Sequence, residues 1–346
     1  MTAHSPSGFL LGDRLACTGF FDPATPIGFR EFNYTQAQPE VSVVVPVHNQ
    51  APVIVGHLES ILRNLEMKAE LIIILDGCRD GTPEVVNAWA QALVPRSNLT
   101  RLALLQSEIS LYETISDNLG VACSKAPAFI EVQADMEIEE FGFDRRLLAA
   151  LRSDASLLAV SGRGGHDEDE LGLEPKSRPR WLTFVREQAR RLFNKFHFAR
   201  GRYEPSILEH WVSNQIGRCG TLTDLPVGQG RRDTLYYMPT VMRGPLVVDR
   251  EKFDALGGFD AQHFFLANDD HDLMARAWTL QGWRCAYLSV AYASPRELGS
   301  TRAKKSPEDA KLHRSYVMRY AEAQKSSLLR SRDARFCQMR DRRRLL

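Results

Sequence analysis

The chain has 346 residues, 44% of them hydrophobic and 25% charged, which is the composition of an ordinary globular protein with room for a large core. Its formal net charge of +1 argues against binding to nucleic acid through a broad basic surface, so no nucleic-acid partner is expected. The six cysteines form no Cys-x-x-Cys pair and no zinc-binding spacing, which favours a reduced, cytoplasmic compartment.

Export and membrane insertion are not expected from the sequence. The N-terminal residues do not combine a basic stretch with a clean apolar stretch, as a secretory signal would. Nowhere do about 18 apolar residues run together, as a membrane-spanning helix requires. Contact with a membrane is therefore expected to be peripheral.

Regular secondary structure is predicted from residue 41 onward. Residues 1–39 show no clear periodicity and are interpreted as an extension packed on the main domain. The run 41–47 is apolar and rich in β-branched residues, as expected of a strand buried on both faces. The predicted elements that follow are a helix over 52–65, a strand over 71–75, a helix over 84–93, a strand over 102–106, a helix over 115–123 and a strand over 128–133.

This alternation of strands and helices with short connections predicts an α/β fold, with a Rossmann-like, mostly parallel sheet flanked by helices. Ligands of such sheets bind at the carboxyl ends of the strands. The most polar strand ends are at Asp76 and Asp135, after the second and fourth strands. The chemistry of the protein is therefore expected at these two positions.

The pattern weakens over residues 162–243 and returns in a strand over 245–248, a helix over 272–281 and a strand over 285–290. An amphipathic, basic helix over 181–198 is typical either of a helix on an anionic membrane surface or, more commonly, of a helix that caps an acceptor cleft. The tail after residue 324 has eight Lys and Arg against two Asp. Such a tail could contact anionic lipid or a partner protein, or stay solvated.

Four motifs in a fixed order carry a resemblance to a known family. They are VSVVVPVHN at 41–49, LDGCRDGT at 75–82, EVQADMEI at 131–138, and LGGFD at 256–260 followed by NDDHDLMARAWTLQGW at 268–283. Their order and spacing resemble the family-2 glycosyltransferases. The resemblance implies a GT-A fold over residues 40–298, with the extension 1–39 before it and a lid and basic helical tail over 299–346. It also implies transfer of a sugar from a nucleotide-sugar donor, with inversion at the anomeric carbon.

The resemblance assigns nucleotide contacts to residues on three segments. Asp76 could accept a hydrogen bond from the imide N–H of uracil, although Leu75 stands where the family has a first Asp. Alternatively, Asp76 is a turn or helix N-cap residue, and the other positions are a strand exit and a helix entry. The predicted nucleotide-binding residues are Pro46, His48, Asn49, Asp76, Asn118 and Gly120.

A divalent cation, Mn²⁺ or Mg²⁺, is the cofactor that the resemblance implies. Such an ion neutralises the leaving diphosphate and is commonly held by one or two carboxylates plus the phosphates. The family motif is Asp-x-Asp, but here Gln133 replaces the first Asp. Asp135 keeps the last position, and Glu137 could add a second carboxylate. The alternative is a polar strand end that binds no metal.

The acidic run that begins a helix supplies the predicted catalytic base. An inverting transfer needs a group that deprotonates the acceptor hydroxyl, a contribution of about 10²–10⁴-fold. Alignment to the family places Asp270 at this position, with Asp269 as the second choice. Asp272 and Arg276 are interpreted as a structural i,i+4 pair. Alternatively, the acids only complement the helix dipole.

Many relatives carry a metal-binding His shortly after the last strand, and this chain has none there. Our hypothesis is that Arg302, Lys304 and Lys305 lie on a lid and hold the diphosphate directly. A solvated, charged loop is an equally simple interpretation.

The sequence thus favours a glycosyltransferase that takes a nucleotide-sugar, with a UDP-sugar favoured by resemblance alone. The acceptor would be a hydroxyl of a glycan, a lipid-linked molecule or a small molecule, as in polysaccharide biosynthesis, and the enzyme would be cytoplasmic or peripheral on the inner face of the membrane. One alternative is a catalytically impaired relative that acts as a binding or scaffold subunit. A sugar nucleotidyltransferase is disfavoured because residues 48–56 contain no Lys or Arg to grip a triphosphate.

Overall fold

The computed structural model describes most of the chain between residues 7 and 293. The described residues are 7–16, 21–163, 165–166, 222–224, 234–238, 240–262, 264 and 269–293. Their strands are β1 (Ser7–Leu10), β2 (Pro26–Asn33), β3 (Val41–Val47), β4 (Ala69–Asp76), β5 (Leu99–Ser107), β6 (Ala128–Glu131), β7 (Glu137–Ile138), β8 (Leu157–Ser161), β9 (Gly165–His166), β10 (Leu222–Asp224), β11 (Thr234–Met238), β12 (Thr240–Val241), β13 (Leu246–Asp249), β14 (Arg284–Tyr287) and β15 (Tyr292–Ala293). The α-helices are α1 (Ile54–Asn64), α2 (Thr82–Ala92), α3 (Tyr112–Ala122), α4 (Phe143–Ser153), α5 (Arg250–Ala255) and α6 (Asp269–Arg276).

One mixed sheet of eleven strands forms the centre, in the order β1-β2-β5-β4-β3-β6-β13-β8-β14-β11-β10. The strands β3 to β6 pair in parallel, and β8 pairs in parallel with β14. The antiparallel pairings show that β2, β11 and β13 run opposite to the other strands of this sheet. The predicted α/β class with a mostly parallel sheet is therefore confirmed.

The sheet separates two hydrophobic cores because successive side chains of a strand point to opposite faces. On β3, Val43 and Val45 face the core that α1, α2 and α4 cover, whereas Val44 faces the core that α3, α5 and α6 cover. All three side chains are fully buried or nearly so. The sequence 41–47 is therefore apolar at nearly every position because both faces of β3 are covered.

The structure differs from the predicted elements at both ends of the described chain. The segment interpreted as an extension without regular structure contributes β1 and β2, and β2 pairs antiparallel with β5. In β2 only Ile27 is buried, so the strand shows no clear apolar alternation in the sequence. The helix predicted from residue 272 begins at Asp269, since acids suit a first helical turn. A π-helix, Ala277–Gln281, continues it.

None of the helices in the described ranges combines the length and the apolar character needed to cross a bilayer. The amphipathic helix predicted over 181–198, the lid and the basic tail lie outside these ranges.

Gly120→Ala is expected to destabilise the protein by about 1–3 kcal/mol, the usual cost of overpacking a core. A Cβ at this position would clash with Val44 Cγ1 and would lie 2.9 Å from Ile74 Cδ1, so α3 would have to move away from the sheet. Urea denaturation of the purified variant measures the change in the free energy of unfolding.

Gly56→Ala is the matched control, because Gly56 lies in α1 and a Cβ there meets nothing within 4 Å. Alanine in a helix interior is favoured over glycine by up to about 1 kcal/mol, so this variant should be neutral or more stable. Equal stability of the two variants would contradict the close packing of α3 on the sheet.

Candidate active site

Polar side chains collect at one edge of the sheet, where the parallel strands β3, β4, β6 and β8 end. His48 and Asn49 follow β3, Asp76 is the last residue of β4, and the turn after β6 holds Asp135. Arg163 follows β8 at the same edge, because β8 and β6 both run antiparallel to β13 between them. We call this the carboxyl edge. Ligands of α/β sheets commonly bind at such an edge.

The loop after β3 is tied to the loop after β4 by two of the predicted nucleotide residues. His48 Nδ1 lies 2.6 Å from the carbonyl oxygen of Asp76, and His48 Nε2 lies 2.9 Å from Asn49 Nδ2. Because a carbonyl only accepts, Nδ1 carries the proton and Nε2 accepts from the Asn49 amide. Asn49 has φ 53°, which asparagine tolerates, and its Oδ1 accepts from the Arg79 backbone N–H at 2.8 Å. Pro46 is half-buried within β3.

The carboxylate of Asp76 is buried and binds the start of α3. It accepts hydrogen bonds from the backbone N–H groups of Leu111 and of Tyr112, the latter at 3.0 Å, and from Ser110 Oγ at 3.1 Å. Burial raises the pKa of Asp76, and the hydrogen bonds oppose that rise. In the structure Asp76 therefore binds the N-terminus of α3, a helix that is distant from it in the sequence. Its contact with a nucleotide base stays a prediction.

The two predicted residues on α3 contact the protein itself in the structure. Asn118 Nδ2 donates to the Phe259 carbonyl at 2.8 Å, and its Oδ1 accepts from the Phe259 N–H at 3.0 Å. This pair of bonds fixes the turn 256–260 against α3. Gly120 allows α3 to lie close against β3 and β4. These contacts do not test whether Asn118 and Gly120 lie near a nucleotide, so their nucleotide-binding role stays a prediction.

A buried arginine lies at the centre of a group of acids beside the carboxyl edge. Arg243 precedes β13, and its Nη1 contacts Asp117 Oδ2 and lies 3.5 Å from Glu113 Oε1, both on α3. Its Nη2 contacts Asp269 Oδ2 at the start of α6. We call these residues, together with Glu131 on β6, the Arg243 cluster. The cluster joins elements that are far apart in the sequence.

Two further contacts hold the cluster in place. The guanidinium of Arg243 lies over the ring of Phe259, 4.4 Å from its centroid, as in a cation–π contact. Thr114 Oγ1 lies 2.7 Å from Asp269 Oδ2. Arg243 is thus surrounded by carboxylates on one side and by an aromatic ring on the other, which keeps its charge compensated away from water.

Glu131 is the least compensated acid of the Arg243 cluster. Its side chain is fully buried, and within the described part of the chain no side-chain donor lies within hydrogen-bond distance of its carboxylate oxygens. Burial raises the pKa of Glu131 well above its ordinary value, and the neighbouring carboxylate of Asp117 raises it further. Burial likewise raises the pKa of Asp117 to about 7, against the lowering effect of Arg243. Both shifts favour the protonated form of these two carboxyl groups.

The same acids offer the ligand chemistry that a divalent cation requires. Glu113, Asp117 and Glu131 bring one carboxylate oxygen each within 4.8 Å of the others, and such oxygens are the ligands that Mg²⁺ and Mn²⁺ prefer. However, the guanidinium of Arg243 contacts two of these carboxylates. A cation at this triad would therefore compete with Arg243.

The residues predicted as metal ligands lie on the turn after β6 and on β7. Glu137 Oε1 lies 3.9 Å from Arg63 Nη2, and both side chains are about half exposed. Gln133, at the first position of the motif, has its amide oxygen 2.8 Å from Arg163 Nη1, so this oxygen is already bonded to a cation. Asp135 fits a cation that takes one protein carboxylate and completes its shell with phosphate and water oxygens.

The acids at the start of α6 separate into different environments. Asp269 is buried in the Arg243 cluster, whereas Asp270 is half-buried and accepts a hydrogen bond from the His271 backbone N–H at 2.8 Å. Arg276 Nε lies 2.6 Å from Asp272 Oδ2, which confirms the predicted i,i+4 pair. Of the two candidate bases, Asp270 is the one whose carboxylate is not committed to Arg243 by direct contact.

Arg276 also links the last two sequence motifs, 256–260 and 268–283, to each other in the structure. Its Nη1 donates to the carbonyl of Leu256 at 2.6 Å, and its Nη2 donates to the carbonyl of Gly258 at 2.7 Å. The helix α6 is thereby fixed to the turn 256–260. The turn 256–260 is itself hydrogen-bonded to α3 through Asn118.

Sequence reasoning missed the Arg243 cluster and the contact of Gln133 with Arg163. One signal was present, because Glu131 is a charged residue in an otherwise apolar strand and needs a compensating partner if it is buried. No local sequence pattern near Arg243 or Arg163 indicates which residues contact them. The predicted diphosphate residues Arg302, Lys304 and Lys305 lie outside the described residues.

Comparison with known proteins agrees with the sequence motifs. The family profile described as Glycosyl transferase family 2 matches residues 42–205. No curated protein matches the sequence.

Solved structures with a similar arrangement include the mannosyltransferase PcManGT from Pyrobaculum calidifontis in complex with GDP-Man and Mn²⁺, at 18% identity and TM-score 0.42, covering 75% of this chain and 56% of that one. A second is GalNAc-T7 with UDP, GalNAc and Mn²⁺, at 13% identity and TM-score 0.45, covering 74% of this chain and 43% of that one. A third is S. aureus TarS 1-349 in complex with UDP, at 15% identity and TM-score 0.43, covering 86% of this chain and 69% of that one. The chain spans about half the length of the first two of these structures.

Glu131→Gln is expected to weaken the pH dependence of stability. Because the folded-state pKa of Glu131 lies above the ordinary 4.5, the folded protein binds this proton more tightly than the unfolded chain does. The resulting stabilisation is complete below about pH 4.5 and is lost as the pH rises through the folded-state pKa. Urea denaturation in EDTA between about pH 5 and pH 9 should therefore show a smaller fall in the free energy of unfolding for the variant than for the wild type.

Glu84→Gln provides the control, because Glu84 is exposed in the first turn of α2. It should leave the slope of stability against pH unchanged. A slope in Glu131→Gln as steep as in the wild type would show that Glu131 does not hold a proton in the folded state.

Proposed function

We propose that the protein, whose residues 42–205 match the profile described as Glycosyl transferase family 2, transfers a sugar from a nucleotide-sugar donor to an acceptor hydroxyl with inversion. The observation that carries the proposal is the separation of the acid pair at the start of α6. Asp269 is bound by Arg243 and Thr114, whereas Asp270 is half-buried beside the same cluster. One acid of the pair thus positions the helix, and the other can act as a base.

In the proposed reaction Asp270 accepts the proton of the acceptor hydroxyl. The acceptor oxygen then forms a bond to the anomeric carbon as the bond from that carbon to the diphosphate oxygen breaks. The bonding electrons leave with the nucleoside diphosphate on the opposite face of the sugar, which accounts for inversion. Arg276 and Asp272 hold α6 to the turn 256–260, and this fixed support is what a base within hydrogen-bond reach of its substrate requires.

The donor is proposed to lie along the carboxyl edge. His48 and Asn49 would contact the nucleoside, and Asp135 would bind a Mn²⁺ or Mg²⁺ ion together with the diphosphate oxygens. When bound, such an ion supplies positive charge to the leaving group. A UDP-sugar is the preferred donor in this proposal, and a glycan, a lipid-linked molecule or a small molecule is the acceptor. The predicted cytoplasmic location, with peripheral membrane contact through the basic segments, also stays a proposal.

The donor can be identified by incubating the purified protein with UDP-, GDP- and dTDP-sugars and measuring nucleoside diphosphate release, with and without Mn²⁺. Release from one nucleotide class is the expected result. Binding without release would favour the alternative of a catalytically impaired binding or scaffold subunit. Binding of none of these donors would contradict the proposed transfer.

Asp270→Asn is expected to lower the transfer rate by about 10²–10⁴-fold, the usual contribution of a general base. Donor binding should be retained, because the amide keeps the shape of the side chain and removes only its capacity to take up a proton. Rates of nucleoside diphosphate release and a binding titration with the same donor measure the two effects separately.

Asp254→Asn is the matched control, since Asp254 is exposed on α5 and pairs only with Arg250 among the described residues. It should leave the rate unchanged. If Asp270→Asn retained the wild-type rate, Asp270 would not be the base.

A further inference from the structure

Arg163 is a half-buried cation whose contacts in the described part of the chain are with neutral acceptors. Its Nη1 lies 2.8 Å from Gln133 Oε1 and 3.5 Å from the carbonyl oxygen of Arg243. The ion pairs found among the described residues do not include Arg163. A guanidinium is always charged and favours carboxylate or phosphate partners. Arg163 therefore carries positive charge that these contacts leave uncompensated.

Gln133 preserves this charge while it holds the guanidinium in place. Its Nε2 lies 3.0 Å from Glu113 Oε1 and its Oε1 faces Arg163. This orientation follows from the chemistry, because a carboxylate needs a donor and a guanidinium needs an acceptor. An aspartate at position 133 would repel Glu113 and would neutralise Arg163. The replacement of the first acid of the metal motif thus changes the local charge in favour of an anion.

The arrangement is built into the carboxyl edge. Gln133 follows β6 and Arg163 follows β8, and the loop before β13 lies between them. A Cβ on Gly244 of that loop would lie 3.1 Å from Gln133 Cγ, so the loop packs closely against the glutamine. The backbone N–H of Arg163 is itself 3.0 Å from Ser161 Oγ. Gln133 is therefore packed against the loop before β13, and Arg163 is bonded to the end of its own strand β8.

We propose that Arg163 binds the diphosphate of the nucleotide-sugar donor directly, with Gln133 positioning its guanidinium. This inference rests on the proposed function. Negative charge accumulates on the diphosphate as its bond to the sugar breaks, and a guanidinium can pair with two phosphate oxygens at once. Arg163 thereby supplies positive charge at an edge where the protein contributes fewer metal ligands.

The test compares diphosphate with nucleoside binding in EDTA, so that bound cations contribute nothing. Isothermal titration measures Kd for UDP and for uridine, and for the GDP and dTDP pairs if those nucleotides bind instead. The wild type is expected to bind the diphosphate at least about tenfold more tightly than the nucleoside, as charge-assisted hydrogen bonds allow.

Arg163→Gln is expected to lose this preference, with the diphosphate Kd rising towards that of the nucleoside and the nucleoside Kd unchanged. Arg163→Lys should retain part of the preference, since lysine keeps the charge but not the paired geometry. Arg152→Gln, at an exposed position of α4, is the matched control and should match the wild type. Unchanged nucleoside binding in each variant also shows that the site is folded.

Gln133→Asp tests the same idea in the opposite direction. The new carboxylate would pair with Arg163 and lower diphosphate affinity in EDTA, and added Mn²⁺ should restore that affinity more strongly than in the wild type. This response would not follow if Gln133 and Arg163 only stabilised the fold.

Two failures can be told apart. If the wild type binds the diphosphate and Arg163→Gln keeps the full preference over the nucleoside, Arg163 does not bind diphosphate although the proposed function stands. If the wild type binds none of the nucleotides or nucleosides, with or without Mn²⁺, both the proposed function and this inference are overturned.

Discussion

The buried guanidinium of Arg243 is the interaction on which the site depends. A charge removed from water is tolerated only where partners compensate it, and Arg243 has carboxylates from α3 and α6 as well as the ring of Phe259. These partners come from widely separated parts of the sequence. Arg243 therefore determines how α6 lies against α3 and the sheet. Breaking such a pair leaves a buried charge alone, so the arrangement resists rearrangement.

The excess of acid around Arg243 has a consequence for the chemistry. One guanidinium faces several carboxylates, and the burial of Glu131 and Asp117 raises their pKa values, which favours the uncharged form of these two side chains. Asp117 and Asp269, the acids that contact Arg243, therefore have a structural role. Asp270 lies at the border of the cluster, close enough for its charge to act on Arg243, but it accepts its described hydrogen bond from the backbone. The proposed division between a positioning acid and a base follows from this difference.

At the carboxyl edge the balance of charge is different. Gln133 lies between an acidic and a basic side chain, with Glu113 on one side of its amide and Arg163 on the other. The amide satisfies both neighbours and neutralises neither. In the proposed function, the diphosphate would be bound through a cation at Asp135 and directly by Arg163.

The sequence by itself determined the layers of the fold, because the apolar runs at 41–47 and 71–75 are long enough and uniform enough to require burial on both faces. It also located the motifs, since their order is a property of the chain, and the Asp272–Arg276 pair, since its partners are one helical turn apart. Only the tertiary structure decided that Asp76 binds the start of α3, that β2 extends the sheet, and that Arg243 and Arg163 lie beside the carboxyl edge. Those outcomes depend on contacts between segments distant in sequence, and a local pattern carries no information about which distant side chain will compensate a charge.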